Sequence, residues 1–181
     1  MTRYLVEDDR IGLLPMTYED CAQFVEWRNH DSVRSHYIYR EPFTLQGEQE
    51  YFLENVASGK VHILMICDKE HGGRKIGATI VHRGTAEGSA EYGLFIGEET
   101  RRGLGLGRRA TALTIQCAFA QWGYKKLMAR IFSDNTASQK STQAGGFRRT
   151  GILKDVECTD GEVKDMYTYE VLAEDMQPAA G

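Results

Sequence analysis

The feature that most constrains this chain is a glycine-alternating turn between a strand and a long helix. The stretch IGEETRRGLGLGRRA, residues 96–110, contains Gly103, Gly105 and Gly107. Glycine lets successive backbone amides converge because no Cβ stands in the way. The helix that follows adds unpaired N–H groups and the positive end of its dipole, so the turn is shaped for a phosphate or pyrophosphate. Three arginines add positive charge: Arg102, Arg108 and Arg109.

The same turn excludes two common nucleotide-binding motifs. No Lys-Ser/Thr pair follows the last glycine, so the turn is not a P-loop. A dinucleotide-binding turn follows an early strand and needs an acidic residue about 20 positions later, where Gln121 and Trp122 stand instead. A flexible helix start with solvated arginines is the alternative interpretation of the turn.

Helical and strand patterns follow one another along the whole chain, which indicates one α+β domain over residues 1–181. Thr17 and Asp20 resemble a capping box that opens the first helix. Four helices are predicted: from Thr17 to about Asn29, Leu45–Ala57, Gly107–Trp122 and Asn135–Ala144, with a short helix plus loop between the first two. Seven strands are predicted: Arg10–Met16, Val61–Cys67, Lys75–His82, Ala90–Ile96, Leu127–Phe132, Phe147–Leu153 and Val163–Val171.

Charge and composition narrow the possible partners. The 181 residues, 41% of them hydrophobic and 27% charged, suffice for one domain with a full core. A net charge of −4 argues against nucleic acid as the main partner, because phosphate binding needs a lysine and arginine excess. The four scattered cysteines form no CxxC pair and the histidines show no i,i+4 pairing, so no metal site is predicted.

The amino terminus lacks the apolar stretch of a signal peptide, and no run approaches the roughly 18 apolar residues of a membrane span. These observations predict a cytoplasmic protein with no membrane partner.

The glycine turn resembles the acyl-CoA signature of the GNAT superfamily of N-acetyltransferases, through Arg102-x-x-Gly105-x-Gly107. The run from Asn135-x-x-Ser138 to Gly146-Phe147 is similar to the cofactor-binding helix of that superfamily and the strand after it. Trp27-Arg28-Asn29 resembles the branch that contains ribosomal-protein, spermidine and amino-sugar nucleotide acetyltransferases. The resemblance covers about residues 10–172.

This resemblance implies a GNAT-type fold: a mixed, mostly antiparallel sheet of about seven strands flanked by about four helices. The sheet splays between the fourth and fifth core strands, residues 90–96 and 127–132, and acetyl-CoA lies in the gap as co-substrate, without a metal. The cofactor-binding residues implied are Phe95, Ile96, Arg101, Arg102, Gly103, Leu104, Gly105, Leu106, Gly107, Arg108, Asn135 and Ser138.

Direct transfer needs a base for the acceptor ammonium and an acid for the departing thiolate. Glu91 is the candidate base because strand parity places it with Gly93 and Phe95; a surface glutamate without a catalytic role is the alternative. Replacing Glu91 by Gln should then lower kcat more than KM. Relatives often carry an acidic tyrosine where this chain has Thr142, so water, Ser138, Tyr92 or departure of unprotonated thiolate are alternatives for that step.

The acceptor is expected to be a primary amine on a small molecule or a peptide. Trp27, Arg28, Asn29 and Tyr37 are the candidate substrate-binding residues, although tryptophan at a helix end is also a common core residue. The front of the chain looks most like amino-sugar nucleotide acetyltransferases, followed by enzymes acting on peptide amino termini and then on polyamines or aminoglycosides. A non-catalytic acyl-CoA sensor is the alternative from a different class, and a homodimer is one of the oligomeric states left open.

Overall fold

A single mixed sheet of eight strands organises the computed structural model, which describes residues 3–176. Its order is β1-β2-β3-β4-β5-β6-β8-β7, and in this described part of the chain only β5 and β6 pair in parallel. The strands are β1 (Val6–Glu7), β2 (Ile11–Pro15), β3 (Val61–Asp68), β4 (Arg74–Arg83), β5 (Ser89–Ile96), β6 (Lys126–Phe132), β7 (Arg148–Glu157) and β8 (Val163–Leu172). The mostly antiparallel α+β fold predicted from the sequence is confirmed.

Within residues 3–176, five α-helices accompany the sheet, and their ends follow local side-chain chemistry. The helices are α1 (Cys21–Asn29), α2 (Asp31–Arg34), α3 (Leu45–Tyr51), α4 (Leu106–Ala120) and α5 (Thr136–Gly145). The Asp20 carboxylate accepts a hydrogen bond from the Thr17 N–H at 2.9 Å, as the predicted capping box requires. None of the helices in residues 3–176 has the length and apolar surface that crossing a bilayer would require.

Two details differ from the predicted elements. The helix predicted over Leu45–Ala57 ends its α-helical part at Tyr51 and continues as a π-helical turn, Phe52–Val56, for which the sequence carries no signature. The strand β1 is additional to the seven predicted, because two residues paired to Gly12 and Leu13 are too few to show a period.

Alternate residues of β4 and β5 face opposite helical layers. Val81 and Tyr92 belong to the core beneath α4, whereas Ile80 and Phe95 belong to the core beneath α1 and α3. Because side chains alternate along a strand, Glu91 lies on the α1 side together with Phe95. Strand parity therefore separates a layer beneath α4 from a front layer beneath α1.

The sheet splits between β5 and β6. These strands pair at only three positions, from Ser89 opposite Lys126 to Glu91 opposite Met128. Beyond that point β6 stays paired with β8 as far as Phe132, while β5 stays paired with β4 as far as Ile96. The predicted splay between the fourth and fifth core strands is confirmed.

Candidate active site

A cleft of about 700 Å³ opens where β5 and β6 diverge. Its lining combines β5, β6, the start of α4, the start of α5 and the segment after α2. The predicted site residues within the lining are Arg28, Tyr37, Glu91, Phe95, Ile96, Arg101, Arg102, Gly103, Gly105, Leu106, Gly107, Asn135, Ser138 and Thr142. The structure thus brings together residues that are up to 114 positions apart, from Arg28 to Thr142.

The glycine turn depends on left-handed backbone conformations. Gly103 and Gly105 both have φ of +74°, which L side chains rarely adopt. A Cβ on either glycine would meet no atom within 4 Å, so glycine is needed for conformation rather than for space. Gly105 caps α4, and the Arg102 Nε donates to the Ile96 carbonyl at 2.9 Å. That bond ties the turn to the end of β5.

At Gly107, by contrast, glycine is needed for space rather than for conformation. It is buried within α4, where a Cβ would lie 3.1 Å from Ser141 Oγ and 3.3 Å from Leu94 Cδ2. Its small size therefore lets α5 and β5 approach the start of α4 closely. On α5, the Asn135 side chain caps the helix by accepting from the Ser138 N–H at 3.2 Å. The starts of α4 and α5 consequently lie together in the lining of the cleft.

The arginines of the turn do not all face the cleft. Arg101 and Arg102 line it, whereas Leu104 and Arg108 are exposed and lie outside the lining. The Arg109 guanidinium donates to Asp8 at 2.8 Å and to Asp9 at 2.7 Å. Its charge is therefore paired with two carboxylates of the turn between β1 and β2. Lys140 of α5 also lines the cleft and carries a charge that the sequence-based site did not include.

Glu91 is held by an arginine from the facing strand. Both Nε and Nη2 of Arg130 contact its Oε1, at 2.9 and 2.8 Å. Oε1 is therefore engaged with Arg130, whereas the side-chain hydrogen bonds within residues 3–176 include none to Oε2. Arg130 lies 39 positions away in sequence and lines the same cleft; no local pattern marks it as a partner of Glu91.

Two of the candidates for the general acid are buried. Thr142 is 1% exposed. The Tyr92 hydroxyl lies 2.8 Å from Thr111 Oγ1, which itself donates to the Gly107 carbonyl at 2.9 Å. A hydroxyl has one proton, so Tyr92 must be the donor of the first bond. Burial raises the pKa of Tyr92 well above its ordinary value, and the phenol points its proton towards α4.

A buried arginine of the cleft lining lies near a buried glutamate of α3. The Arg28 guanidinium, 7% exposed, lies 3.7 Å from the centre of the Tyr37 ring. Glu48 of α3 is 3% exposed. Burial raises the pKa of Glu48 to about 7, and the charge of Arg28 offsets part of that rise. Glu48 sits in a polar helix segment, LQGEQEY, whose sequence gives no signal of burial.

Trp27 and Asn29 lie outside the cleft lining. The Trp27 indole is 5% exposed, packs edge-on against Phe95 and covers Gly97, where a Cβ would overlap the ring. The Asn29 side chain donates to the Phe43 carbonyl at 2.8 Å and accepts from the Phe43 N–H at 2.7 Å. Both side chains therefore shape the front wall from behind, while Arg28 and Tyr37 reach the cavity.

Among residues 3–176, one group has the spacing of metal ligands, at the turn between β7 and β8. Its members are Cys158, Asp160 and Glu162. The Arg40 guanidinium contacts Cys158 Sγ at 3.4 Å and Glu162 Oε2 at 2.8 Å. A side-chain cation thus already neutralises this group.

A splayed mixed sheet beside a glycine turn at a helix start defines the class of acyl-CoA-dependent acetyltransferase folds. The family model of the acetyltransferase (GNAT) domain matches residues 10–148. The chain belongs to this family.

Three similar proteins illustrate the range of relatives. An uncharacterized protein of Methanocaldococcus jannaschii is 28% identical over 145 residues, which are 80% of this chain and 29% of that protein. The chain therefore spans less than a third of that relative's length. Spermidine N-acetyltransferase from Vibrio cholerae, solved with CoA and spermine, superposes with a TM-score of 0.81 at 16% identity, covering 92% of this chain and 98% of that chain. Ribosomal-protein-S5-alanine acetyltransferase from Vibrio fischeri gives 0.79 at 19% identity, covering 96% and 98%.

Proposed function

We propose that this protein transfers the acetyl group of acetyl-CoA to a primary amine by direct attack within a ternary complex. The observation that carries the proposal is one continuous cleft that reaches from the glycine turn to Glu91 and Arg28. A coenzyme diphosphate at the amides of α4 would leave its acyl end beside β5. There a backbone amide near Phe95 can stabilise the oxyanion of the tetrahedral intermediate.

The cofactor contacts are proposed to come from the glycine turn, the end of β5 and the start of α5. Arg101, Arg102 and Lys140 supply cations along this part of the lining. An acyl-enzyme is not required, and burial raises the pKa of Cys117, on α4, to about 11. A thiol protonated at neutral pH is a poor nucleophile.

For the acceptor we propose an amino-sugar nucleotide, in keeping with the branch that Trp27-Arg28-Asn29 resembles. Charge supports this choice: the charged residues beside the splay are Arg28, Arg130 and Glu91, with two cations against one carboxylate. A polyamine would favour a line of carboxylates, whereas a sugar-nucleotide diphosphate favours arginines. A peptide amino terminus is the second choice, followed by an aminoglycoside or a polyamine.

The direct test is thiol release from acetyl-CoA in the presence of one amine at a time. The panel contains amino-sugar nucleotides, short peptides with free amino termini, an aminoglycoside and spermidine, with calorimetric titration of CoA in parallel. We expect saturable CoA binding and turnover of an amino-sugar nucleotide. Turnover of spermidine alone would contradict the acceptor assignment, and absence of CoA binding would contradict the function.

A non-catalytic acyl-CoA sensor is the second candidate, and the buried Thr142 favours it. Threonine replaces the tyrosine that serves as acid in many relatives, and its hydroxyl is a far poorer acid than a phenol. A sensor would bind CoA normally and release no thiol with any amine of the panel.

We also propose that the protein acts in the cytoplasm. Cys21, Cys67, Cys117 and Cys158 are all buried free thiols, which suits a reducing compartment. For the oligomeric state we propose a homodimer, which gel filtration with light scattering tests.

A further inference from the structure

His82 and Glu91 occupy matching positions on neighbouring strands. Their Cα atoms are register partners across the antiparallel pair of β4 and β5, just as Ile80 and Gly93 are partners two residues further on. Cross-strand partners point to the same face of a sheet, and both side chains line the cleft. A strand rises about 3.3 Å per residue, so the pair of His82 and Glu91 lies roughly 7 Å along the strands from the pair of Ile80 and Gly93.

The surroundings of His82 lower the pKa of its imidazole, which favours the neutral ring. Two charged groups act on His82 directly: Glu91 on β5 and Arg28 on α1. Arg130 on β6 contacts Glu91. On β3, the register partner of His82 is the uncharged Val61. Although His82 is partly open to solvent, desolvation of its ring in the cleft wall is the largest influence and lowers its pKa. The Glu91 charge opposes this shift, and the Arg28 charge acts in the same direction as desolvation. A neutral imidazole has a lone pair with which to accept a proton.

Glu91 is less well prepared for that task. Its Oε1 accepts two contacts from Arg130, so this oxygen is already occupied by a charged hydrogen-bond donor. The hydrogen bonds and ion pairs within residues 3–176 include none from the His82 ring. Glu91 is therefore held in place by Arg130, whereas the His82 ring has no hydrogen-bond partner among the described residues that would compete with a substrate.

We propose that His82 accepts the proton of the acceptor ammonium, and that Glu91, fixed by Arg130, stabilises the resulting imidazolium. This inference rests on the proposed acetyl transfer. An N–H bond of the ammonium breaks and its proton passes to the imidazole, after which the amine nitrogen forms a bond to the thioester carbon. The tetrahedral intermediate collapses with cleavage of the C–S bond, the second nitrogen proton passes to the thiolate through solvent, and His82 returns its proton to solvent. Acetyl-CoA and an ammonium thus yield the amide, CoA thiol and one proton.

The first test replaces His82 by Gln and measures kcat/KM against pH with an amine that the wild-type protein acetylates. We expect a fall of about 100-fold or more near neutral pH, the usual scale of general base catalysis, and loss of the acidic limb of the profile. The deficit should shrink at high pH, where solvent deprotonates the amine, and CoA affinity measured by calorimetry should be unchanged.

His62→Gln is the matched control. His62 lies on β3 and also has a pKa lowered by burial, but its ring stacks on Trp122 at 3.8 Å, away from the cleft. This variant should keep the wild-type kcat/KM and pH profile. Wild-type rates and an intact acidic limb in His82→Gln would overturn the proposal.

Glu91→Gln separates the two candidates for the base. The Glu91 charge raises the pKa of His82, so its removal should shift the acidic limb to lower pH while the limb persists. A limb that vanishes in Glu91→Gln and persists in His82→Gln would assign the base to Glu91 and overturn the proposal. NMR titration of the His82 ring should show the midpoint of the limb and the same downward shift in Glu91→Gln. Failure of the wild-type protein to bind CoA would overturn the proposed function, and the role of His82 with it.

Discussion

The buried carboxyl of Glu48 should make the protein less stable as pH rises above the acidic range. Its pKa rises from an ordinary 4.5 to about 7 on folding. The folded protein therefore keeps a proton that the unfolded chain releases, so the stability linked to this proton is fully present below pH 4.5 and is lost as pH rises through 7. At 1.36 kcal/mol for each pKa unit, the loss at pH 8 is about 3 kcal/mol.

Glu48→Gln should remove this dependence, because glutamine resembles the protonated glutamate and does not titrate. Arg28 then faces a neutral group at every pH, as it does in the wild-type protein at low pH. We expect the variant to match the wild-type free energy of unfolding at pH 4.5 and to exceed it by up to about 3 kcal/mol at pH 8. The melting temperature at pH 8 should rise by up to about 6–12 °C for a chain of this size.

Urea denaturation followed by circular dichroism at pH 4.5, 6 and 8 measures the effect. Glu50→Gln is the control: Glu50 is exposed on the same helix and bonds Gln46 at 2.9 Å, so its replacement should change the free energy of unfolding by less than about 0.5 kcal/mol. A Glu48→Gln variant less stable than wild type at pH 8 would refute the reasoning. It would mean that the attraction between the Glu48 anion and Arg28 exceeds the cost of burying that anion.

Three further substitutions test other parts of the structure. Gly105→Ala forces alanine into a left-handed conformation at a cost of about 1–2 kcal/mol of stability. It should also weaken CoA binding measured by calorimetry. The control is Gly59→Ala, at φ +76° outside the cleft, which should cost similar stability and leave CoA affinity unchanged. Gly97→Ala should destabilise the protein by about 1–3 kcal/mol in urea titrations, because its Cβ overlaps Trp27; an unchanged unfolding midpoint would contradict this contact. Tyr92→Phe should lower stability by about 1 kcal/mol and leave kcat unchanged, and a large loss of kcat would restore Tyr92 as a candidate acid.

The elements of the fold could be predicted where the chain carries a local chemical signal. The alternating glycines, the Thr17–Asp20 capping box and the long apolar face of α4 each depend on residues within one or two turns of one another. The same is true of the position of Glu91, because strand parity follows from period-two alternation alone. The short β1 and the π-helical turn after α3 offered too few residues, or no known pattern, for such a prediction.

The pairings inside the site could not be predicted in this way. Arg130 meets Glu91 only because β6 lies beside β5, and Glu48 is buried only because α3 packs near Arg28. His82 faces the cleft because the register between β4 and β5 sets it opposite Glu91. Each of these contacts joins distant segments, and a single sequence does not determine which distant segments meet.

Because β5 and β6 pair at only three positions, the cleft lies between two halves of the sheet and belongs to neither half alone. One wall belongs to the strands up to β5, and the other belongs to β6, β8 and α5. Residues of both halves line the cavity, so the cavity is complete only when the two halves are packed together. A molecule that bridges both walls should therefore strengthen the docking of the two halves, and substitutions in α1 can alter the front wall without disturbing the turn that begins α4.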